Sequence, residues 1–288
     1  MNILNEYQKI TQIIGEKPIR HQHIAESYNL SIYKLEFKQR TPLIAKLGQP
    51  KIREHFNLEH QMLKHLNGLS FLTTPKVYYV DDELYLMDYI AHIPLGHHQE
   101  AEQEIANQIA QLHQIKAAKF GFEYDSLIGC LMQPNRFSNN WVEFFRDNRL
   151  IYFADSCYQQ KLITAEFRSR IDKLADKLAD LILDNHPPTL IHGDLWYGNI
   201  LSDGDALKGF IDPALYYANP EIELAYVTMH NSLGDDFFNA YQNQHKIDDG
   251  FFELRKDIYN IYPNLVHILL CGTEYTAHIE QTLSRHGI

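Results

Sequence analysis

Hydrophobic and polar positions give this chain two textures. From Pro18 to Leu47 they alternate in short runs. Ile19-Arg20-His21-Gln22-His23-Ile24 predicts one strand, Tyr28 to Phe37 a second and Pro42-Leu43-Ile44-Ala45-Lys46-Leu47 a third, with Lys38-Gln39-Arg40-Thr41 as the turn between the last two. Ahead of them, Tyr7, Ile10, Ile13 and Ile14 recur at helical spacing and predict a short amphipathic helix over Asn5 to Ile14. Lys51 to Leu66 repeats that period through Ile52, Phe56, Met62, Leu63 and Leu66. Val77 to Val80 and Leu84 to Met87 enclose Asp81-Asp82-Glu83 and predict a hairpin, after which Met87-Asp88-Tyr89-Ile90 forms a hinge into the remaining chain.

Beyond the hinge the helical period dominates. Glu100 to Ala117 carries it through Ile105, Ile109, Leu112 and Ile115; Asn139 to Tyr158 is rich in aromatics, with Trp141, Phe144, Phe145, Tyr152 and Phe153. Thr164 to Leu183 repeats Lys-Leu-Ala-Asp twice, a solvated face beside an apolar stripe. Glu221 to His230, opened by Asn219-Pro220, then Asp235 to Tyr241 and Gly250 to Cys271 predict further helices. The expected class is α+β: a small β-rich lobe over 1–88 and a larger, mainly helical lobe over 89–288.

Composition narrows the class. The chain has 288 residues, 45% hydrophobic and 22% charged, which suits a soluble globular protein. No uncharged apolar run approaches the roughly 18 residues of a membrane span, and the first ten residues lack a basic region followed by an apolar core, so neither membrane nor secretion is expected. A formal charge of −11 argues against a nucleic-acid partner, which would need a basic footprint. Cys130, Cys157 and Cys271 form no Cys-x-x-Cys pair, so free, buried thiols in a reducing cytoplasm are expected. Separately, the chain is expected to be a monomer. The sixteen histidines, among them His21, His23, His97-His98 and His192, are too scattered for a transition-metal site.

The chemistry concentrates between two short apolar runs, Thr189-Leu190-Ile191 and Ile200-Leu201. His192-Gly193-Asp194-Leu195-Trp196-Tyr197-Gly198-Asn199 lies between them, too polar for a strand interior. Asp, Asn and Gly together are also ordinary turn chemistry. The order His-x-Asp-Leu-x-x-x-Asn, however, is that of the kinase catalytic loop, with Gly193 where an Arg usually stands. In that loop the Asp accepts the proton of the attacking hydroxyl and the Asn binds Mg²⁺. After the turn Ser202-Asp203-Gly204-Asp205, the strand Leu207 to Ile211 runs into Asp212, where the second metal-binding carboxylate of a phosphotransferase belongs. Lys46, the one charge in its apolar run, is either an edge-strand Lys reaching water or a phosphate-contacting Lys with a Glu partner on the next helix. Glu59 is the preferred partner, being mid-helix beside the apolar stripe, and Glu54 the competitor. Backbone groups of Met87, Asp88 and Tyr89 would meet adenine.

On these residues the chain resembles the fructosamine kinase (ketosamine-3-kinase) family, a branch of the protein-kinase-like fold beside aminoglycoside phosphotransferases and choline kinases. His192 to Asn199 is similar to the family's His-Gly-Asp-Leu-Trp-Ser-Gly-Asn, with Tyr197 for Ser. Asp212-Pro213-Ala214-Leu215-Tyr216-Tyr217 resembles its Asp-Pro-Ala-x-Tyr-Tyr. Phe120-Gly121-Phe122, Gly129, Gln133, Asn135, Trp141, Phe144, Phe145, Arg149 and Leu150 match the segment before the long helices, and Arg255 to Tyr262 matches its Arg-x-x-x-Tyr-Asn-Leu-Tyr.

The resemblance implies a bilobal, protein-kinase-like enzyme using ATP and Mg²⁺. Its substrate would be a ketosamine, free or protein-bound, phosphorylated at the C3 hydroxyl in deglycation. Asp194 would be the base, Asn199 and Asp212 the metal ligands, Lys46 the phosphate contact paired with Glu59, and Trp196 a wall of the sugar pocket or packing beneath the loop. Tyr216 and Tyr217 could add donors there. The alternatives are a related kinase of aminoglycosides, choline or a free sugar, or a non-catalytic binding protein of the same fold.

Three positions depart from the family. His21 to Ser27 has no glycine in the nucleotide hairpin, which leaves Glu26 uncompensated beside phosphate. Glu223-Leu224-Ala225 replaces Asp-Leu-Ala, and Ala218-Asn219-Pro220 replaces a Gly-containing turn. Gly193 supplies no guanidinium to meet an activating phosphate, so activity without phosphorylation is expected.

Overall fold

The alternating segment folds into one antiparallel sheet in this computed structural model, which describes residues 2–27, 30–49, 53–94, 96, 98–229 and 231–288. Its strands β1 (Arg20–Ser27), β2 (Leu30–Glu36), β3 (Leu43–Leu47), β4 (Val77–Val80) and β5 (Leu84–Asp88) lie in the order β1-β2-β3-β5-β4. Period-two alternation sends the side chains of β3 and β5 to two different helices. Leu43, Ala45, Leu47, Leu84 and Leu86 pack with Ile10 of α1 (Tyr7–Ile14) on one face. Ile44, Tyr85 and Met87 pack with Phe56 and Leu63 of α2 (Arg53–Asn67) on the other. Lys46 shares the parity of Ile44, so it too must point at α2.

Two compact units emerge from the contacts: Met1–Leu95 with Ile200–Pro213, and Gly96–Asn199 with Ala214–Ile288. The expected division fell at 88/89 with no return crossing. The later hairpin, β9 (Ile200–Ser202) with β10 (Leu207–Phe210), joins the first unit because Ile93 N donates to Ser202 O at 2.8 Å and Phe210 N to Thr73 O at 2.9 Å.

The second unit begins with α3 (Gln99–Leu112) and a small hairpin, β6 (Ser126–Ile128) with β7 (Leu131–Gln133). α4 (Trp141–Phe145) passes through a π-helical turn (Arg146–Ile151) into α5 (Tyr152–Gln159). α6 (Ala165–Leu181) follows, capped by Thr164, whose Oγ1 accepts from Phe167 N. β8 (Thr189–Ile191) pairs with β11 (Tyr216–Ala218). α7 (Glu221–Met229), α8 (Asp235–Gln242), α9 (Lys256–Tyr259), α10 (Ile261–Leu270) and α11 (Thr276–Arg285) complete it. Trp141, Phe144, Phe145 and Tyr259 form its aromatic centre, with Trp141 Nε1 donating to Tyr259 Oη at 3.0 Å.

Several expectations need correction. The first strand runs on to Ser27, past a bulge at Ile24, between His23 and Ala25. The helix expected to reach Ala117 ends at Leu112. Beyond it, Ile115 O accepts from Leu190 N and Ala117 N donates to Pro188 O, so this stretch pairs with the start of β8 instead. α11 was not anticipated because it buries only Ile279, Thr282 and Leu283. Of the cysteines expected to be buried, only Cys157 is; Cys130 is half-buried and Cys271 exposed. Tyr28, Lys51, Ile52, His97 and His230 lie outside the described residues. Among the described residues no helix is long and apolar enough to cross a membrane.

α8 starts at Gly234 with no capping side chain of its own, and buried Glu102 of α3 takes that place, accepting from Gly234 N at 2.9 Å and Phe237 N at 3.2 Å. Glu102→Ala removes the acceptor from one buried and one part-buried amide and should lower stability by about 2 kcal/mol. Exposed Gln103→Ala should cost almost nothing, and urea unfolding of the two variants side by side checks this.

Candidate active site

In the first unit, α2 turns Glu59 toward the sheet between Phe56 and Leu63. Lys46 Nζ meets Glu59 Oε1 at 2.7 Å and Asp212 Oδ1 at 2.9 Å, with Lys46 itself 6% exposed. Glu54, the competing partner, is exposed. Burial works against the ammonium, but Asp212 and Glu59 outweigh it and hold Lys46 above its ordinary pKa. Burial also lifts the Glu59 carboxyl above its usual range, with Lys46 pulling the other way. Tyr85, the cross-strand neighbour of Lys46, was not singled out from sequence. Burial, together with the negative charges of Glu59 and Asp212, pushes its phenol far up, so it remains an O–H donor. Asp212 stands two residues past the end of β10, at φ 49°, a left-handed backbone uncommon for Asp.

In the hairpin lacking glycines, Glu26 has partners within β1 and β2 but stays anionic. Glu26 accepts from Ser31 Oγ at 3.1 Å and meets His23 Nε2 at 2.9 Å, and these partners hold its carboxyl below the usual range. The hinge segment is partly committed. Asp88 N donates to Lys76 O at 3.0 Å, the Asp88 carboxylate accepts from Lys76 N and Tyr78 Oη, and Tyr89 N donates to Pro42 O at 3.2 Å. Met87 is buried in the sheet.

In the second unit the catalytic-loop sequence leaves β8 at His192. Gly193 adopts φ +85°, and a Cβ there would lie 2.1 Å from Ala214 O, so no side chain, Arg included, fits. Ala214 is fixed from both sides: its N donates to His192 O at 2.8 Å and its O accepts from Gln133 Nε2 at 3.2 Å. Asn199 Nδ2 donates to Asp194 O at 2.8 Å and to Asp194 Oδ2 at 2.7 Å, which fixes the amide so that Oδ1 remains an acceptor. Trp196 is half-buried and lies over Gly198, where a Cβ would come within 2.5 Å of its ring.

Glu223, the residue that departs from the family's Asp, anchors this loop. It is wholly buried on α7 and accepts from Gly193 N at 2.7 Å and His192 N at 3.2 Å. Burial pushes its carboxyl up, but His113, His192 and the Gly193 amide outweigh burial and hold it below its ordinary value. Tyr216, expected as a donor to substrate, is core: Arg149 stacks 3.9 Å from its ring centroid and Phe144 5.7 Å. The polar markers of the resemblance are supports too, Arg149 Nη2 donating to Asn135 Oδ1 at 2.7 Å and Asn135 Nδ2 to Ser126 Oγ at 2.8 Å.

The oxygen sets suit a hard cation. Asn199 Oδ1 and Asp212 Oδ2 take no hydrogen bond among the described residues, and amide and carboxylate oxygens are the donors Mg²⁺ prefers. Within the second unit, His186, Glu221 and Asp248 bring ligand atoms within 4.8 Å of one another, but Arg255 engages both Glu221 oxygens.

Comparison with known proteins gives the chain a family and a fold. The family model described as fructosamine kinase matches residues 2–286. A probable ketoamine kinase of Vibrio parahaemolyticus is 29% identical over 272 residues, 91% of this chain and 88% of that protein. The crystal structure of a candidate fructosamine-3-kinase from Thermobifida fusca superposes with a TM-score of 0.85 at 26% identity, covering 96% of each chain. An ADP-bound aminoglycoside phosphotransferase, 16% identical, has a TM-score of 0.67 over 97% of this chain and 96% of that one, which places the chain in the protein-kinase-like fold.

Gly193→Ala should therefore lose about 1–3 kcal/mol by thermal unfolding, since the backbone and Ala214 O must both yield. Glu223, held below its unfolded value, stabilises fully above the usual Glu range of about 4.3. That contribution is lost as the pH falls through its lowered folded value. Glu223→Gln should consequently flatten the acid limb of a stability-against-pH curve below about pH 4.

Proposed function

The chain belongs to the fructosamine kinase family, and from that premise we propose that it is an ATP-dependent kinase transferring a phosphoryl group to the C3 hydroxyl of a ketosamine. The observation that carries the assignment is the pairing of Asp194 Oδ2 with Asn199 Nδ2 at 2.7 Å, on a loop whose backbone is fixed by Glu223 and Ala214. An aspartate so oriented is suited to accept the proton of an attacking hydroxyl. The hydroxyl oxygen then bonds to the γ-phosphorus as the bond to the ADP oxygen breaks.

Lys46 would contact the phosphates, with Glu59 holding its ammonium in place. Asp212 and Asn199 Oδ1 would hold Mg²⁺, which offsets the phosphate charge when bound. The segment Met87, Asp88 and Tyr89 would face adenine. Since the Asp88 and Tyr89 amides are engaged, other groups of that segment must read the base. Trp196, half-buried over Gly198, would offer its ring to the sugar. Three free cysteines accord with a reducing cytoplasm.

Mg-ATP with a panel of ketosamines, free sugars, choline and aminoglycosides, followed by ³¹P NMR, tests the assignment. A ketosamine 3-phosphate should form with much higher kcat/KM than any other product, using protein that mass spectrometry finds unphosphorylated. Asp194→Asn should lower kcat by about 10²–10⁴, and Asp212→Asn should abolish turnover. Lys46→Met should harm turnover while preserving the fold. Trp196→Ala should cost more with ketosamine than in slow ATP hydrolysis; equal losses would make the Trp packing alone.

A further inference from the structure

Glu223 does not hold the catalytic-loop sequence unaided. His113, the residue that ends α3, is wholly buried and places Nε2 at 2.9 Å from Glu223 Oε2 and Nδ1 at 2.7 Å from Tyr241 Oη. Tyr241 comes from α8 and is 1% exposed. None of the three side chains reaches solvent, and none is among the groups assigned to phosphoryl transfer.

The hydrogen-bond roles along this chain of groups start from its acceptor. The Glu223 carboxylate is acceptor-only, and it already receives the amides of His192 and Gly193. The imidazole must therefore present Nε2–H to it. Burial, with Glu223 and Glu221 nearby, pushes the Tyr241 phenol far up, so Tyr241 keeps its proton and can donate it to Nδ1. With the imidazole neutral, Tyr241 O–H to His113 Nδ1 and His113 Nε2–H to Glu223 run in one direction, each bond polarising the next toward the carboxylate. The effect is to fix which way the carboxylate faces, so that Glu223 Oε1 meets Gly193 N one residue before Asp194.

We propose that Tyr241 and His113 form a buried positioning relay that sets the catalytic loop through Glu223. Neither touches substrate; both act on the orientation of Asp194 by way of the His192 and Gly193 amides. The relay spans three helices, α3, α7 and α8, and ends on that loop. Its significance for turnover rests on the kinase assignment above, while its effect on the loop does not.

The test therefore has two readouts. Hydrogen exchange by mass spectrometry, which needs no substrate, should show faster exchange of the His192 and Gly193 amides in His113→Leu and in Tyr241→Phe, while β1 to β5 exchange as in wild type. With Mg-ATP and a ketosamine below the unfolding temperature, both variants should lose ten-fold or more in kcat with the ATP KM within two-fold. His113→Gln, whose amide can still donate to Glu223, should recover most of the His113→Leu loss. Should His113→Leu fail to fold, Tyr241→Phe, which keeps the ring, decides alone. Unchanged exchange at Gly193 in the folded variants would overturn the relay. So would a kcat loss that His113→Gln does not reverse, because that pattern is packing. If wild-type protein phosphorylates nothing, the kinase assignment fails and exchange alone judges the relay.

Discussion

A charge placed where water cannot reach must be answered from within, and in each unit of this chain one such charge sets the groups of the candidate site. In the first, the charge is the Lys46 ammonium, on a strand whose five residues are all buried. An unpaired ammonium there would cost several kcal/mol. It receives two carboxylates, one from α2 and one from the segment after β10. Residues 46, 59 and 212 are thereby tied together, and Asp212 is held at a left-handed backbone that an unsupported aspartate would seldom adopt.

The second unit meets the same constraint with the opposite sign. Glu223 is a buried carboxylate, and its partners are backbone amides and an imidazole. Multiple N–H donors lower a carboxyl's pKa, so the anion is stable where it lies. Both arrangements turn a desolvation cost into geometry, because a buried ion with several partners has one favourable position. Rigid placement of reactive groups is what phosphoryl transfer asks of a protein, since positioning and electrostatics supply almost all of the catalysis.

Much of this could be read from residue order alone, for identifiable reasons. Period-two alternation located β3, and Lys46 stood out as the one charge in its apolar run. Glu59 could then be preferred over Glu54 because it lies mid-helix beside the apolar stripe. The loop from His192 to Asn199 was legible because its residue types and spacing are dictated by chemistry. His113 and Tyr241 were not. Each occupies a helix position with no local pattern to distinguish a polar core residue from a surface one, and their partners lie 110 and 128 residues away. The end of α3 was misplaced because Ile115 extends the helical period, although the backbone there is claimed by β8. Tyr216 was read as a substrate donor from its place in a motif, but Arg149 and Phe144 enclose it.

The substitution of Glu for the family's Asp at 223 shows how sequence departures acquire meaning only with coordinates. From sequence it weakened any inference about the contacts made there. In the structure Oε1 of the longer side chain takes the Gly193 amide, while Oε2 takes the His192 amide and meets His113 at 2.9 Å. A carboxylate one methylene shorter on the same helix would have to give up length at one of these contacts, or α7 would have to move closer to β8. The glycine at 193 works within the same constraint. With a Cβ, Ala214 would be pushed from the position that fixes His192 O, and the amides that Glu223 receives would turn with it. Residues 193, 214 and 223 therefore form one steric unit: the acceptable side chain at each depends on the distance the other two leave to span.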